Sequence, residues 1–88
     1  MKIKDGYVLR EVAGEYFIIP VGPESINNSR MITINETGKT MWESLQGGTD
    51  YDALVKTMLD MYDISEEVLK PDIDSFLDIL RNAQLLEE

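Results

Sequence analysis

The stretch that decides the fold runs from Ile34 to Gly47 and reads INETGKTMWESLQG. Asn35 suits the N-cap of a helix, and Glu36 suits the first turn, where a carboxylate faces the positive end of the helix dipole. Gly47 and the glycine after it predict the end of that helix. The apolar stripe of the helix begins on the preceding strand and comprises Ile34, Gly38, Met41, Trp42 and Leu45. The stretch therefore predicts a strand that turns directly into a helix.

The sequence before this corner is typical of β-strands. Two β-rich runs, at about 6–12 and 15–21, are separated by Ala13-Gly14, which predicts a hairpin. A third short strand is expected at about 30–34, where β-branched residues follow a polar loop.

The sequence after the corner has the period of helices. Apolar stripes predict helices at about 36–46, 50–62 and 65–84, and Thr49 is the expected N-cap of the second. Pro71 predicts a kink or a break in the third, because an interior proline removes a backbone hydrogen bond. The predicted order is βββααα in a single α+β domain over residues 1–88.

The composition limits the function. The chain has 88 residues, of which 43% are hydrophobic and 28% charged, as in an ordinary small globular domain. It contains neither His nor Cys, so the commonest general base and the commonest metal ligands are missing. We therefore expect a protein that is not an enzyme and that holds no cofactor or metal. Because no signal peptide or apolar stretch of bilayer length is evident, a cytoplasmic protein without membrane contact is expected.

The charge argues against nucleic acid as a partner. The net charge is −9, and residues 44–88 carry three Lys or Arg against eleven Asp or Glu. DNA binding depends largely on cations that neutralise phosphates, so a DNA-binding winged helix is the weakest alternative.

Three parts of the chain resemble the PqqD-like family, whose fold is a small winged helix-turn-helix domain. The stretch Ile34–Gly47 matches the family's "LNETG…W…L.G" signature, with Ile34 in place of the usual Leu. Tyr62-Asp63 is similar to the link into the last helix, and 72–80 resembles the "D-[VI]-x-x-F-L…L" pattern of that helix. Pro71 and Ala83-Gln84 depart from the pattern.

The resemblance implies a function and its partners. Members of the family bind the leader of a precursor peptide in the biosynthesis of ribosomally synthesised, post-translationally modified peptides. They present the precursor to a modifying enzyme, often a radical S-adenosylmethionine enzyme. In the family the leader adds a strand to the edge of the third strand and lies in a groove beside the third helix.

The residues of this chain suit such a site. Three strands in hairpin order leave the third at an edge, where an extended peptide can pair with it. The mostly apolar flank of the third helix is the expected second wall. The candidate peptide-binding residues are therefore Arg30, Met31, Ile32, Thr33, Ile34, Asp72, Phe76, Ile79 and Ala83.

Charge is expected to orient the peptide. Arg30 is the lone cation of the docking strand, and Asp72, Asp74 and Asp78 are expected to form an acidic patch. An acidic peptide residue is thus expected near Arg30, and basic residues near the third helix. The main alternative is a protein–protein adaptor of the same fold that binds no leader. An open-edged sheet can also exchange strands between copies, which allows a homodimer.

Overall fold

The computed structural model describes residues 1–22 and 31–88 and consists of two small sheets and three helices. In chain order its elements are β1 (Lys2–Ile3), β2 (Tyr7–Val12), β3 (Glu15–Pro20), β4 (Ile32–Ile34), α1 (Glu36–Gln46), α2 (Tyr51–Met61), α3 (Glu66–Asn82) and β5 (Leu86–Glu87). The predicted fold class is confirmed: an α+β domain in which a three-stranded antiparallel sheet is followed by three helices.

The main sheet has the order β2-β3-β4, so β4 lies at its outer side. A two-residue turn joins β2 to β3, and Ala13 and Gly14 both have positive φ angles, of 53° and 82°. Type I′ turns require this conformation at both positions, and their twist matches that of the strands they connect. The register then pairs Tyr16 with Ile34 and Ile18 with Ile32.

The corner between β4 and α1 is held by a side-chain cap. Asn35 is the N-cap of α1, and its Oδ1 accepts a hydrogen bond from the backbone N–H of Gly38 at 2.8 Å. This bond satisfies one of the donors that the first turn of a helix leaves unpaired. The apolar stripe predicted for α1 is buried: Gly38, Met41, Trp42 and Leu45 all face the core.

Helix α3 approaches this corner closely. A Cβ atom built on Gly38 would lie 3.2 Å from Cε1 of Phe76, 3.2 Å from Cβ of Ile34 and 3.1 Å from Oδ1 of Asn35. Such contacts are tighter than side chains normally allow, so the lack of a side chain at position 38 lets α3 pack directly on the corner.

The start of α2 differs from expectation. Its N-cap is Asp50 and not Thr49: Oδ1 of Asp50 accepts from the N–H of Ala53 at 2.8 Å. Both residue types cap well, but an N-cap carbonyl accepts the first helical bond, and that of Thr49 accepts instead from the Met1 ammonium at 2.7 Å.

Of the kink or break expected at Pro71, the break was wrong. Helix α3 is continuous from Glu66 to Asn82, with Pro71 inside it. The proline leaves the carbonyl of Glu67 without its helical donor, but both residues are exposed, so water can bond that carbonyl. The buried residues on either side, Leu69 and Ile73, hold the helix against the core through this point.

A second, two-stranded sheet was not predicted. It pairs β1 with β5 antiparallel, with Lys2 opposite Glu87 and Ile3 opposite Leu86. The chain enters β5 through Gln84, whose φ of 61° is the left-handed conformation that follows many helices. Two-residue strands more than eighty positions apart carry no local pattern, so sequence reasoning had no signal for them.

The packing at Gly38 gives a stability prediction. We expect Gly38→Ala to lower the free energy of unfolding by about 1 kcal/mol, because overpacking costs about 1–3 kcal/mol and the better helix propensity returns about 1 kcal/mol. Gly47→Ala is the matched control, since its new Cβ would meet only the carbonyl oxygen of Ser44, at 3.9 Å. That variant should be stabilised by about 0.4–1 kcal/mol. Urea denaturation measures both, and stabilisation of both variants would contradict the close packing.

Candidate functional site

An open groove of about 840 Å³ lies between the end of β4 and one face of α3. The β4 side is formed by Thr33, Ile34 and the first turn of α1, and the opposite side by Asp72, Ser75, Phe76 and Ile79. The β2–β3 turn and the first residues of β3 lie at one end, where Tyr16 is the register partner of Ile34. The groove therefore joins the outer strand of the sheet to a helix.

The backbone of Thr33 faces the outer edge of the sheet. Val21 directly follows β3, and Gly6 directly precedes β2. The N–H of Val21 donates to the carbonyl of Gly6 at 2.8 Å, so it points toward β2. Because successive residues of a strand direct their N–H groups to opposite edges, the odd-numbered residues of β3 face β2, and Tyr16 and Ile18 face β4. Their partners Ile34 and Ile32 pair back to β3, which leaves the N–H and C=O of Thr33 directed outward. Among the described residues no strand lies on that edge.

The α3 wall combines a buried ring with an exposed aliphatic side chain. Phe76 is 6% exposed, and its ring packs at the Gly38 corner. Ile79, nearly one helical turn further, is 47% exposed although large and apolar. A ligand in the groove would cover the exposed part of Ile79, and burying an apolar side chain is favourable by about 25 cal/mol per Å².

The structure brings together five of the nine candidate residues. Thr33, Ile34, Asp72, Phe76 and Ile79 all line the groove. Arg30 lies outside the described residues.

The other three candidate residues lie away from the groove lining. Ile32 is half-buried and packs against the core. Met31 is 56% exposed, just before β4. Ala83 is on the same face of α3 as Ile79, but it is the C-cap residue and packs against the core.

Sequence reasoning missed several lining residues. Ser75 lies between Asp72 and Ile79 on the same face of α3 and could have been found from the helical period. Glu36 was assigned only to the helix dipole. Tyr16 lines the groove because it pairs with Ile34. The sequence does not predict this pairing, since the register of β3 and β4 is not fixed by a short turn.

The charges at the groove are carboxylates. Glu15, Glu36 and Asp72 are exposed lining residues, and the described lining contains neither Lys nor Arg. The nearest cation on α1, Lys39, lies 5.3 Å from the ring centre of Tyr16 and 3.9 Å from the carboxylate of Glu43.

The expected acidic patch of Asp72, Asp74 and Asp78 was wrong. Residues two apart on a helix point in nearly opposite directions, so only Asp72 faces the groove. Asp74 faces α2 and accepts a hydrogen bond from the hydroxyl of Tyr51 at 2.8 Å, which raises the pKa of Tyr51. Asp78 lies 3.3 Å from Arg81.

The described residues suggest neither a metal site nor a membrane span. Residues 1–22 and 31–88 contain no group of three or more His, Cys, Asp or Glu that could hold a metal ion. In the same part of the chain, every helix is too short or too polar to cross a bilayer. The groove, at about 840 Å³, is also larger than the second pocket of about 260 Å³ beside α2, so it is the feature best suited to bind a ligand.

Comparison with known proteins agrees with this fold. The structure is similar to that of TbiB1, solved in complex with the TbiA(beta) leader peptide, with a TM-score of 0.76 and 23% sequence identity. The match covers 99% of this chain and 95% of the solved chain, and at this identity it shows a shared fold. No curated protein gives a significant match. The family model for coenzyme PQQ synthesis protein D matches residues 20–86. The chain therefore belongs to the PqqD family.

Proposed function

We propose that this protein binds the leader of a ribosomally synthesised precursor peptide in the groove and presents the rest of that peptide to a modifying enzyme. The observation that carries the proposal is the outward-facing backbone of Thr33 at the edge of β4, directly opposite the apolar face of α3. An extended peptide can satisfy that edge with main-chain hydrogen bonds and place alternate side chains against Phe76 and Ile79.

The comparisons support the same function. TbiB1 shares the fold over nearly the whole chain, and its solved structure is a complex with a leader peptide. Membership of the PqqD family supports a role in peptide modification without catalysis by this chain. A modifying enzyme, such as a radical S-adenosylmethionine enzyme, would then act on the part of the precursor that extends beyond the groove.

The groove suits a peptide better than the alternative ligands. Its carboxylates would repel the phosphates of DNA, which argues against a DNA-binding winged helix. A second copy of the chain could pair with the same edge by strand exchange, but two chains of net charge −9 repel each other. An adaptor without leader binding could also use the exposed Ile79, but it would not need an open strand edge beside that residue.

Strand addition makes a specific prediction for Thr33. Thr33→Pro removes the outward N–H and leaves the pairing of Ile32 and Ile34 with β3 in place, because proline is tolerated where its missing N–H faces away from the ladder. We expect it to weaken peptide binding at least about tenfold, since a backbone bond is lost and the ring blocks the edge. Thr33→Val keeps the N–H and should bind within about twofold.

Synthetic peptides that tile the short reading frames beside the gene are suitable probes, and two-dimensional NMR titration gives both affinity and location. Binding should shift the amide signals of Met31 to Asn35 and of the groove face of α3. If Thr33→Pro binds as tightly as the wild type, strand addition is wrong. If none of the peptides binds, the leader-binding function is wrong and the adaptor role is favoured.

The apolar wall makes a second prediction. We expect Ile79→Asn to weaken binding about five- to twentyfold, because the peptide can no longer bury the exposed part of that side chain. Met61→Asn is the control, since Met61 is 61% exposed and does not line the groove. Both variants should unfold within about 0.5 kcal/mol of the wild type in urea. Equal binding by both variants would place the peptide elsewhere.

A further inference from the structure

We infer that the groove selects leader peptides that place a lysine or arginine beside Glu36 and Asp72, close in sequence to the apolar residue that covers Ile79. This inference rests on the proposed function and specifies the chemistry of its ligand.

The groove lining is charged with one sign only. Among the described residues, its ionisable carboxylates are Glu15, Glu36 and Asp72, and its lining has no cationic side chain. None of the three is within ion-pair distance of a described Lys or Arg. Carboxylates that gain no partner within the described part of the protein are available to a ligand.

The cations around the groove are engaged elsewhere. Lys39 lies between Glu43 and the ring of Tyr16, and Lys70 lies 3.5 Å from Glu66 on the far flank of α3. Arg81 bonds the carboxylate of Glu88 through Nε and Nη2, at 2.9–3.1 Å. These three cations therefore pair with carboxylates outside the groove and leave those of the groove uncompensated.

The two carboxylates lie on opposite walls near the same corner. Glu36 begins α1 two residues before Gly38, and Asp72 precedes Phe76 by one turn of α3, while Gly38 and Phe76 pack against each other. One helical turn advances about 5.4 Å, and residues i and i+2 of a strand are about 6.6 Å apart on the same face. A basic peptide residue within about two positions of the apolar residue that covers Ile79 can therefore reach the carboxylates of Glu36 and Asp72.

The size of the expected preference follows from exposed ion pairs. Each such pair changes an equilibrium by about 1.4- to fivefold, so two carboxylates should favour Lys over Gln by about two- to thirtyfold. Because salt screens exposed charges, the preference should shrink as the ionic strength rises.

Selection from a display library of random 12-residue peptides tests the inference. The baits are the wild type, Glu36→Gln/Asp72→Asn, and the control Asp63→Asn/Glu67→Gln. The control makes the same change in charge on exposed residues outside the groove, and Glu67, like Glu36, lies in the first turn of its helix. We expect wild type and control to enrich peptides with Lys or Arg near an apolar residue, and the groove variant to enrich apolar peptides without that basic position.

A selected peptide and its Lys→Gln form then give the preference directly by fluorescence anisotropy with the wild-type protein and with the groove variant, at low and high salt. Equal affinity for the two forms, or a preference that survives in the groove variant, would overturn the inference while the proposed function stands. Failure to enrich peptides with all three baits would overturn the proposed function as well.

Discussion

The groove depends on the close packing of α3 against the corner where β4 becomes α1. Gly38 carries no side chain there, so the ring of Phe76 can approach the backbone of the corner. The Asn35 cap fixes the direction in which α1 leaves the strand. Since the residues behind both walls are buried in the core, the distance between strand edge and helix is set before any ligand arrives. A site that is already formed avoids much of the ordering cost of binding.

The fold could be predicted largely because its signals are local. The cap at Asn35, the two-residue turn at Ala13-Gly14 and the helical stripes each specify structure within a few residues, and all three agree with the fold. The features that sequence reasoning missed depend on contacts between distant segments. The pairing of β1 with β5 and the register that brings Tyr16 to Ile34 are of this kind. The cap at Asp50 was missed because the carbonyl of Thr49 is bonded to the distant Met1 ammonium.

The candidate site could be predicted only in outline. The edge strand and the apolar face of the third helix follow from topology and period, and Thr33, Phe76 and Ile79 do share one groove. The charges were harder to place, since closeness in sequence is not closeness on a helix surface. Asp72 and Asp74 are two residues apart, yet one faces the groove and the other bonds Tyr51 on α2. A carboxylate can contribute to the groove only if it lies on the groove face of its helix and is not already paired with a cation of the protein.

The pairing of β1 with β5 has a consequence for how this domain can be combined with others. Lys2 and Glu87 are opposite one another in adjacent strands, which lie about 4.8 Å apart. A unit whose entry and exit are side by side can be placed within a surface loop of a host protein without forcing the ends of that loop apart. The same geometry favours circular permutation, in which a short linker joins the two strands and new ends are opened at a turn far from the groove.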